Sequence, residues 1–203
     1  MTDMRADHQI IASVVKKKSR VLDIGCADGK LLHLLKKNKK ISGQGIEISH
    51  KKVESCLEKG LSVVEGDANK EIINFPKNSF DYVILSQTLQ TVNKPKAILK
   101  EILRVGKNAL VSFPNFGYWL CRYQLLVRGQ MPVTKDLKLN WYDTQNIHLC
   151  TVKDFYQLVI SMGYKVQDMY GISYDNSIMR MSKNLTYLNL LASHIVFLIK
   201  TKD

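Results

Sequence analysis

Three acidic residues are spaced so that they could bind one polar ligand together. Asp23 follows an apolar run, Glu47 ends a second run, and Asp67 follows a third. An acidic residue about 20 positions beyond a glycine-containing loop is suited to binding the two hydroxyls of a ribose. Asp67 could accept a hydrogen bond from an adenine amino group, and the backbone N–H of Ala68 would bind a ring nitrogen. The structural alternatives are a surface role for Glu47 and a turn role for Asp67.

A loop with two glycines follows Asp23 and joins a strand to a helix. Gly25 would let the backbone turn sharply or approach a ligand, and Gly29 would do the same or allow tight helix packing. We expect Asp23 to be anionic because it lies near a helix N-terminus. It should therefore repel a pyrophosphate and favour a ligand with a cationic or amino group. Alternatively, Asp28 only caps the helix and the glycines only serve the turn.

The elements that must position these residues alternate between strands and helices. Strands are predicted at residues 21–24, 42–48, 61–67, 80–86, 109–113, 164–170 and 193–200. Helical spacing of apolar residues predicts helices between most of them. This alternation predicts a single α/β domain over residues 1–203, with a parallel sheet whose strands bind ligands at their carboxyl ends. Ser86 and Gln87 follow the fourth strand, so they should lie at the same edge as the three acidic residues.

A charged cluster lies at the start of the first predicted helix, which spans residues 4–15. It consists of Arg5, Asp7 and His8. We interpret these residues as a helix cap and a surface cluster. The alternative is a flap that covers a ligand.

The sequence pattern changes between residues 115 and 150, where periodicity is weak and aromatic and polar residues are frequent. Long irregular segments in compact domains are usually functional or mobile. We predict a lid or a partner surface near the carboxyl edge of the sheet. The alternative is a structural crossover with buried aromatic side chains. Residues 171–190 are predicted to be polar and irregular.

Composition restricts the classes of function. Thirty Lys and Arg against eighteen Asp and Glu give a net charge of +12, but the lysines are scattered, which disfavours a nucleic-acid site. The four cysteines form no C-x-x-C pair, so we predict neither zinc binding nor a disulfide framework. With no apolar run of membrane-spanning length and no secretory signal, the expected compartment is the cytoplasm. The sequence does not predict the oligomeric state.

The loop at residues 21–29 resembles the first motif of class I SAM-dependent methyltransferases, D/E-x-G-x-G-x-G. Asp23, Gly25 and Gly29 match this motif, and Ala27 stands at the middle glycine. The resemblance implies S-adenosyl-L-methionine or S-adenosyl-L-homocysteine as the cofactor. It also implies a Rossmann-like fold with a seven-stranded, mostly parallel sheet, an antiparallel last strand and helices on both faces. The implied cofactor-binding residues are Asp23, Gly25, Cys26, Ala27, Gly29, Glu47, Ile48, Asp67, Ala68, Ser86 and Gln87.

A closer resemblance covers nearly the whole chain. The segments VILSQTLQ (83–90), SFPNFG (112–117), MPV (131–133) and WYDTQNIHLCT (141–151) are similar to those of the methionine biosynthesis protein MetW family. Gln145 departs from that pattern, in which a proline is expected. The resemblance implies a protein that works with homoserine O-acyltransferase in methionine synthesis.

Two hypotheses follow for what the bound cofactor accomplishes. The chain is either a SAM-binding partner that regulates the acyltransferase or an active methyltransferase on a small molecule. The Asn/Asp-Pro-Pro-Tyr/Phe motif of amino methylation does not occur in the sequence. Tyr142 and His148 are the candidates for handling a methyl acceptor, although His148 could equally be structural. No metal site is predicted.

Overall fold

Eight strands form one sheet in the computed structural model of the protein, which describes residues 4–180 and 184–200. The strands are β1 (Arg20–Ile24), β2 (Ser42–Glu47), β3 (Ser62–Glu65), β4 (Phe80–Ser86), β5 (Gly106–Pro114), β6 (Lys165–Ile172), β7 (Ile178–Arg180) and β8 (His194–Lys200). Their order in the sheet is β3-β2-β1-β4-β5-β8-β6-β7. Neighbours among β1 to β5 pair in parallel, whereas β8 is antiparallel to β5 and β6, and β7 is antiparallel to β6.

Helices connect most of the strands. They are α1 (Ala6–Val14), α2 (Lys30–Lys39), α3 (His50–Glu58), α4 (Ala68–Glu71), α5 (Pro95–Val105), α6 (Trp119–Tyr123), α7 (Val152–Ser161) and α8 (Leu185–Leu191). A 3₁₀ turn at Ile72–Asn74 follows α4, and a π-helical turn at Gln124–Arg128 follows α6. Within residues 4–180 and 184–200, none of the helices is long and apolar enough to cross a membrane.

The sheet is covered by helices on both faces because its strands are apolar on both faces. Successive side chains of a strand point to opposite faces. In β4, Val83 and Leu85 belong to one buried cluster, which α5, α7 and α8 cover. Tyr82 and Ile84 belong to the other, which α1, α2 and α3 cover. The continuous apolar run of β4 therefore predicted a central strand correctly.

Two predictions about the C-terminal part were wrong. The sheet has eight strands and not seven, because Ile178–Arg180 pairs with the end of β6. Residues 171–190 are not irregular throughout, since they contain both β7 and α8; residues 181–183 of this range lie outside the described chain. The Asn184 side chain caps α8, and Leu188 is fully buried. Both elements are short, which is why their periodicity was too weak to predict.

The strand register brings residues from distant parts of the sequence to one edge of the sheet. Asp23 pairs with Ile84 of β4, and Ser86 pairs with Ser112 of β5. His194 pairs with the ends of both β5 and β6. Because β8 is antiparallel, its first residue lies at the edge where the parallel strands have their last residues.

Candidate functional site

A cavity of about 500 Å³ lies at this carboxyl edge, above β1, β2 and β4. Every residue that the sequence nominated for cofactor binding lines it, with the exception of Gly29. The nominated lining residues are Asp23, Gly25, Cys26, Ala27, Glu47, Ile48, Asp67, Ala68, Ser86 and Gln87. We call this space the smaller cavity. The structure thus brings together residues that are separated by more than sixty positions in the chain.

Glu47 holds the loop that follows β1 in place. Its Oε2 atom accepts a hydrogen bond from the backbone N–H of Ala27 at 2.9 Å. Its Oε1 atom accepts bonds from the N–H groups of Ile48 and Ser49, at 3.1 and 3.0 Å. A carboxylate has roughly four acceptor sites, so about one is left for a ligand. Sequence reasoning nominated Glu47 for a ligand contact and missed this structural role.

The loop itself depends on glycine at position 25. Gly25 has φ +70°, and a Cβ atom on it would lie 2.6 Å from Oγ1 of Thr88. Ala27, at the middle position of the motif, also has a positive φ, of 49°. Left-handed backbone costs a non-glycine residue roughly 1–2 kcal/mol. The loop therefore tolerates the alanine, but under backbone strain.

Gly29 serves packing and does not face the cavity. It has φ +73° and stands at the N-cap of α2. A Cβ atom there would collide with the Leu61 side chain and would lie 2.9 Å from Sγ of Cys56. This is the second role that the sequence left open for Gly29, close packing of the helix. Cys26 does line the cavity, and burial raises the pKa of its thiol, which therefore stays protonated.

Asp23 differs from the sequence expectation of an anionic carboxylate. Its side chain is almost completely buried, with 2% of the residue exposed. Burial raises its pKa to about 7 against the lowering effect of Arg5, and the charges of Asp7 and Glu47 raise it further. Burial therefore opposes the anionic form that the helix N-terminus favours. A cationic ligand group beside Asp23 would favour the ionised form again.

Asp67 begins α4 and lines the far side of the smaller cavity. Its Oδ1 atom accepts hydrogen bonds from the backbone N–H and the side-chain amide of Asn69, at 2.9 and 3.1 Å. Asp67 is therefore the N-cap of α4, a structural role beside the turn role that the sequence offered as an alternative. A ligand amino group would have to bind the other oxygen, Oδ2. Ile48 lies nearby with 71% of its surface exposed.

Asp7 of the N-terminal charged cluster is built into the same edge of the sheet, whereas Arg5 is exposed. Asp7 is buried and accepts hydrogen bonds from Arg5 at 3.0 and 2.6 Å, from Ser86 at 2.9 Å and from Ser112 at 3.1 Å. Burial alone would raise the pKa of Asp7, but the bonds and charge of Arg5 lower it to about 2. The surface interpretation was wrong for Asp7, because the first turn of α1 lies at the ends of β4 and β5. Arg5 and His8 line the smaller cavity.

A second cavity, of about 830 Å³, adjoins the first. We call it the larger cavity. Arg5, Gln87, Thr91 and Gln145 line both cavities. Gln87 has a positive φ of 53° directly after β4, and its backbone N–H donates to the Ser112 carbonyl at 3.0 Å. Strained backbone of this kind concentrates at functional sites.

The segment 131–149 covers the larger cavity. The backbone N–H groups of Ile147 and His148 donate to the Gln90 carbonyl, at 2.9 and 3.2 Å, and attach the segment to the edge of the sheet. Lining residues from this segment include Met131, Leu139, Trp141 and Asn146. The two acceptor candidates, Tyr142 and His148, are exposed and line neither cavity. Their involvement with an acceptor stays a prediction.

His194 is a site residue that sequence reasoning missed. It lines the larger cavity and is 3% exposed. The only signal available was a histidine at the start of an otherwise apolar final strand. Rules that search the carboxyl ends of strands overlook it, because it is the first residue of β8.

Comparison with solved structures defines the class of fold. An S-adenosylmethionine-dependent methyltransferase from Mesorhizobium loti superposes with a TM-score of 0.70 at 15% identity, covering 98% of this chain and 99% of that chain. A SAM-dependent methyltransferase from Archaeoglobus fulgidus gives 0.68 at 18% identity, covering 96% and 94%. The chain has the Rossmann-like fold of SAM-dependent methyltransferases, as its sequence predicted.

Comparison of sequences identifies the family. A family model described as "Methionine biosynthesis protein MetW" matches residues 5–199. The chain belongs to the MetW family. The bifunctional methionine biosynthesis protein MetXA/MetW of Rhodopirellula baltica is 31% identical over 165 residues, which cover 77% of this chain and 26% of that protein. The chain therefore spans about a quarter of the length of this curated relative.

Proposed function

We propose that the chain binds S-adenosyl-L-methionine or S-adenosyl-L-homocysteine in the smaller cavity. The observation that carries this proposal is the convergence of Asp23, Glu47 and Asp67 on one cavity of about 500 Å³. In this arrangement Asp23 faces the amino group of the ligand, the free acceptor site of Glu47 binds the ribose, and Asp67 with the N–H of Ala68 binds the adenine. The exposed side chain of Ile48 offers an apolar surface for the adenine ring.

The fit of this ligand is tested by the space at Gly25. A side chain at that position would collide with Thr88, and both residues line the cavity, so glycine lets the loop lie close to Thr88 there without filling the cavity with a side chain. Ala27 adds only a methyl group at the middle position of the motif. Both residues are consistent with close approach of the adenosyl compound to the loop.

Calorimetry with S-adenosyl-L-methionine tests the proposal. Asp67→Ala should weaken binding roughly tenfold or more, since a hydrogen bond to a charged group contributes about 1.5–3 kcal/mol. Asp81→Ala is the matched control, because Asp81 pairs with Arg20 and Lys107 away from the cavity. Absence of binding to the wild type, or equal affinities of both variants, would refute the adenosyl site.

We further propose that the protein acts together with homoserine O-acyltransferase in methionine synthesis. The relative from Rhodopirellula baltica carries MetXA and MetW in one chain, which suggests this link. The segment around 125–142 is suited to a partner contact because large apolar side chains are exposed there. Leu126 is 86% exposed and Trp141 is 71% exposed. Exposed apolar patches of this kind mark interaction sites.

An acyltransferase assay with and without this protein tests the partnership. We expect the chain to change the acyltransferase rate, and Leu126→Lys to abolish most of that change. Leu57→Lys serves as the control, since Leu57 is 56% exposed on α3, away from this segment. An unchanged rate on addition of the wild type would contradict the partnership.

A second candidate function is methyl transfer to a small molecule. It is favoured by one observation, the larger cavity that adjoins the smaller one at Arg5, Gln87, Thr91 and Gln145. S-adenosyl-L-methionine would supply a methyl group on a sulfonium, and the chain would supply mainly the positioning of an acceptor. Incubation with S-adenosyl-L-methionine and cell extract should then yield S-adenosyl-L-homocysteine. If no extract yields S-adenosyl-L-homocysteine, methyl transfer is contradicted and only the binding function remains.

A further inference from the structure

The larger cavity has a buried histidine in its wall whose hydrogen bonds are not satisfied within the described chain. His194 is 3% exposed, and neither Nδ1 nor Nε2 has a hydrogen-bond partner among residues 4–180 and 184–200. Burial lowers the pKa of His194 against the opposing charges of Asp7 and Asp136, so the ring is neutral at pH 7. A neutral imidazole has one N–H donor and one nitrogen acceptor.

Leaving these two ring atoms without partners costs free energy. A buried polar group without a hydrogen bond has lost its bonds to water and gained none in return. The position itself would accept an apolar side chain, because its neighbours along β8, Ile195 and Val196, are fully buried. The folding of the strand therefore does not explain why a histidine occupies this position. Contact with a ligand in the cavity provides one.

The rest of the wall defines what kind of ligand fits. Apolar side chains make up about half of the lining and include Phe116, Met131, Leu139, Trp141 and Ile172. Asp7 cannot serve as the main polar contact, because Arg5 and two serines already satisfy its oxygens. A volume of about 830 Å³ is in the range of small-molecule pockets.

We propose that the larger cavity is a second ligand site, which takes a small molecule with an apolar body and a hydroxyl, thiol or amino head group that hydrogen-bonds to His194. The apolar body packs under segment 131–149, and the head group supplies the partner that the imidazole lacks. This is the same cavity that the second candidate function assigns to an acceptor, and the proposal names the chemistry of its occupant. The site is separate from the adenosyl site and stands even if the smaller cavity takes no ligand.

Nuclear magnetic resonance of the imidazole rings tests the site directly. The chain has five histidines, and the His194 signals are assigned by their loss in His194→Gln. Benzyl alcohol and benzylamine are the probes, and toluene is the control that has the same body without the head group. Saturable shifts of the His194 ring nitrogens are expected with the first two. Toluene should bind at least tenfold more weakly.

Variants of His194 distinguish a ligand that hydrogen-bonds to this residue from a ligand that is held by apolar contacts alone. His194→Leu should bind benzyl alcohol and toluene with equal affinity, whereas His194→Gln should keep part of the preference for benzyl alcohol. No saturable shift with either head-bearing probe would overturn the proposal. An undiminished preference for benzyl alcohol in His194→Leu would overturn it as well.

Stability provides a measurement that needs no probe. If the imidazole is unsatisfied in the free protein, His194→Leu should raise Tm by roughly 2–4 °C, the shift for about 1 kcal/mol in a chain of this size. A fall in Tm would show that the ring has a structural partner and would overturn the proposal. Titration of S-adenosyl-L-homocysteine on the same samples tests the smaller cavity separately, because its failure to bind would leave the His194 results unchanged.

Discussion

The two cavities lie at the same edge of the sheet but are built in different ways. The smaller one has walls made of strand ends and the turns that follow them. Its Glu47 carboxylate joins two of these turns, since it accepts the N–H of Ala27 after β1 and the N–H groups of Ile48 and Ser49 after β2. The larger one is covered by the irregular segment 131–149, which two N–H bonds attach to the carbonyl of Gln90. We therefore expect the first to be rigid and costly to change, and the second to tolerate substitution.

This difference also separates the cavity that the fold itself produces from the cavity that depends on particular side chains of this chain. A parallel sheet always brings the carboxyl ends of its strands together, so the smaller cavity follows from the fold. The larger cavity depends on side chains such as Trp141 and His194, which the fold does not require. What a cofactor in the smaller cavity would accomplish thus depends on the second region.

The largest loss of stability is expected from a substitution at Glu47. Replacing it by alanine leaves the N–H groups of Ala27, Ile48 and Ser49 without their acceptor, at a cost of roughly 3–5 kcal/mol in the free energy of unfolding. Urea denaturation measures this loss. Glu65→Ala is the matched control, because Glu65 pairs with Glu47 in the register but is exposed. Equal effects of the two substitutions would contradict the anchoring role.

Asp23 should produce a pH dependence of stability that an asparagine abolishes. Its pKa is raised from 3.8 to about 7 in the folded protein, so the folded state holds a proton that the unfolded state releases. The stabilisation is complete below about pH 4 and is lost as the pH rises to about 7, on the order of a few kcal/mol. Denaturation at several pH values should show this slope for the wild type relative to Asp23→Asn. Parallel profiles would show that Asp23 is ionised.

A smaller effect is expected at Gly25. Alanine there must adopt φ +70° and meets the Thr88 side chain, so Gly25→Ala should cost roughly 2 kcal/mol. Thr88→Ala removes the colliding atoms. The double variant should therefore be more stable than the sum of the two single losses predicts, as a double-mutant cycle measures. Strict additivity would mean that only the backbone angle matters.

The smallest effect is expected in the segment that covers the larger cavity. Trp141 is 71% exposed, so Trp141→Ala should change the free energy of unfolding by no more than about 0.5 kcal/mol. The same substitution should weaken the binding of benzyl alcohol or the effect on the acyltransferase. A large loss of stability on thermal unfolding would show that segment 131–149 is part of the folding core.

Prediction from the sequence succeeded where the local pattern of residues and the general rules of sheet topology indicate the same structure. The apolar run of β4 and the glycine loop after β1 predicted both the sheet and the edge at which the smaller cavity lies. It failed for β7 and α8, which are too short for their periodicity to be recognised. It also failed for Asp7, whose burial depends on the first turn of α1 lying at the ends of β4 and β5.

The sequence by itself determined the class of fold, the family and the residues that surround the smaller cavity, because strand periodicity and the motif at 23–29 are local properties. Only the tertiary structure decided that burial raises the pKa of Asp23 to about 7, that Glu47 anchors a loop and that Gly29 serves packing. It also decided that His194, from the last strand, belongs to the site. Burial and antiparallel pairing join residues that are far apart in the chain, and no local pattern contains that information.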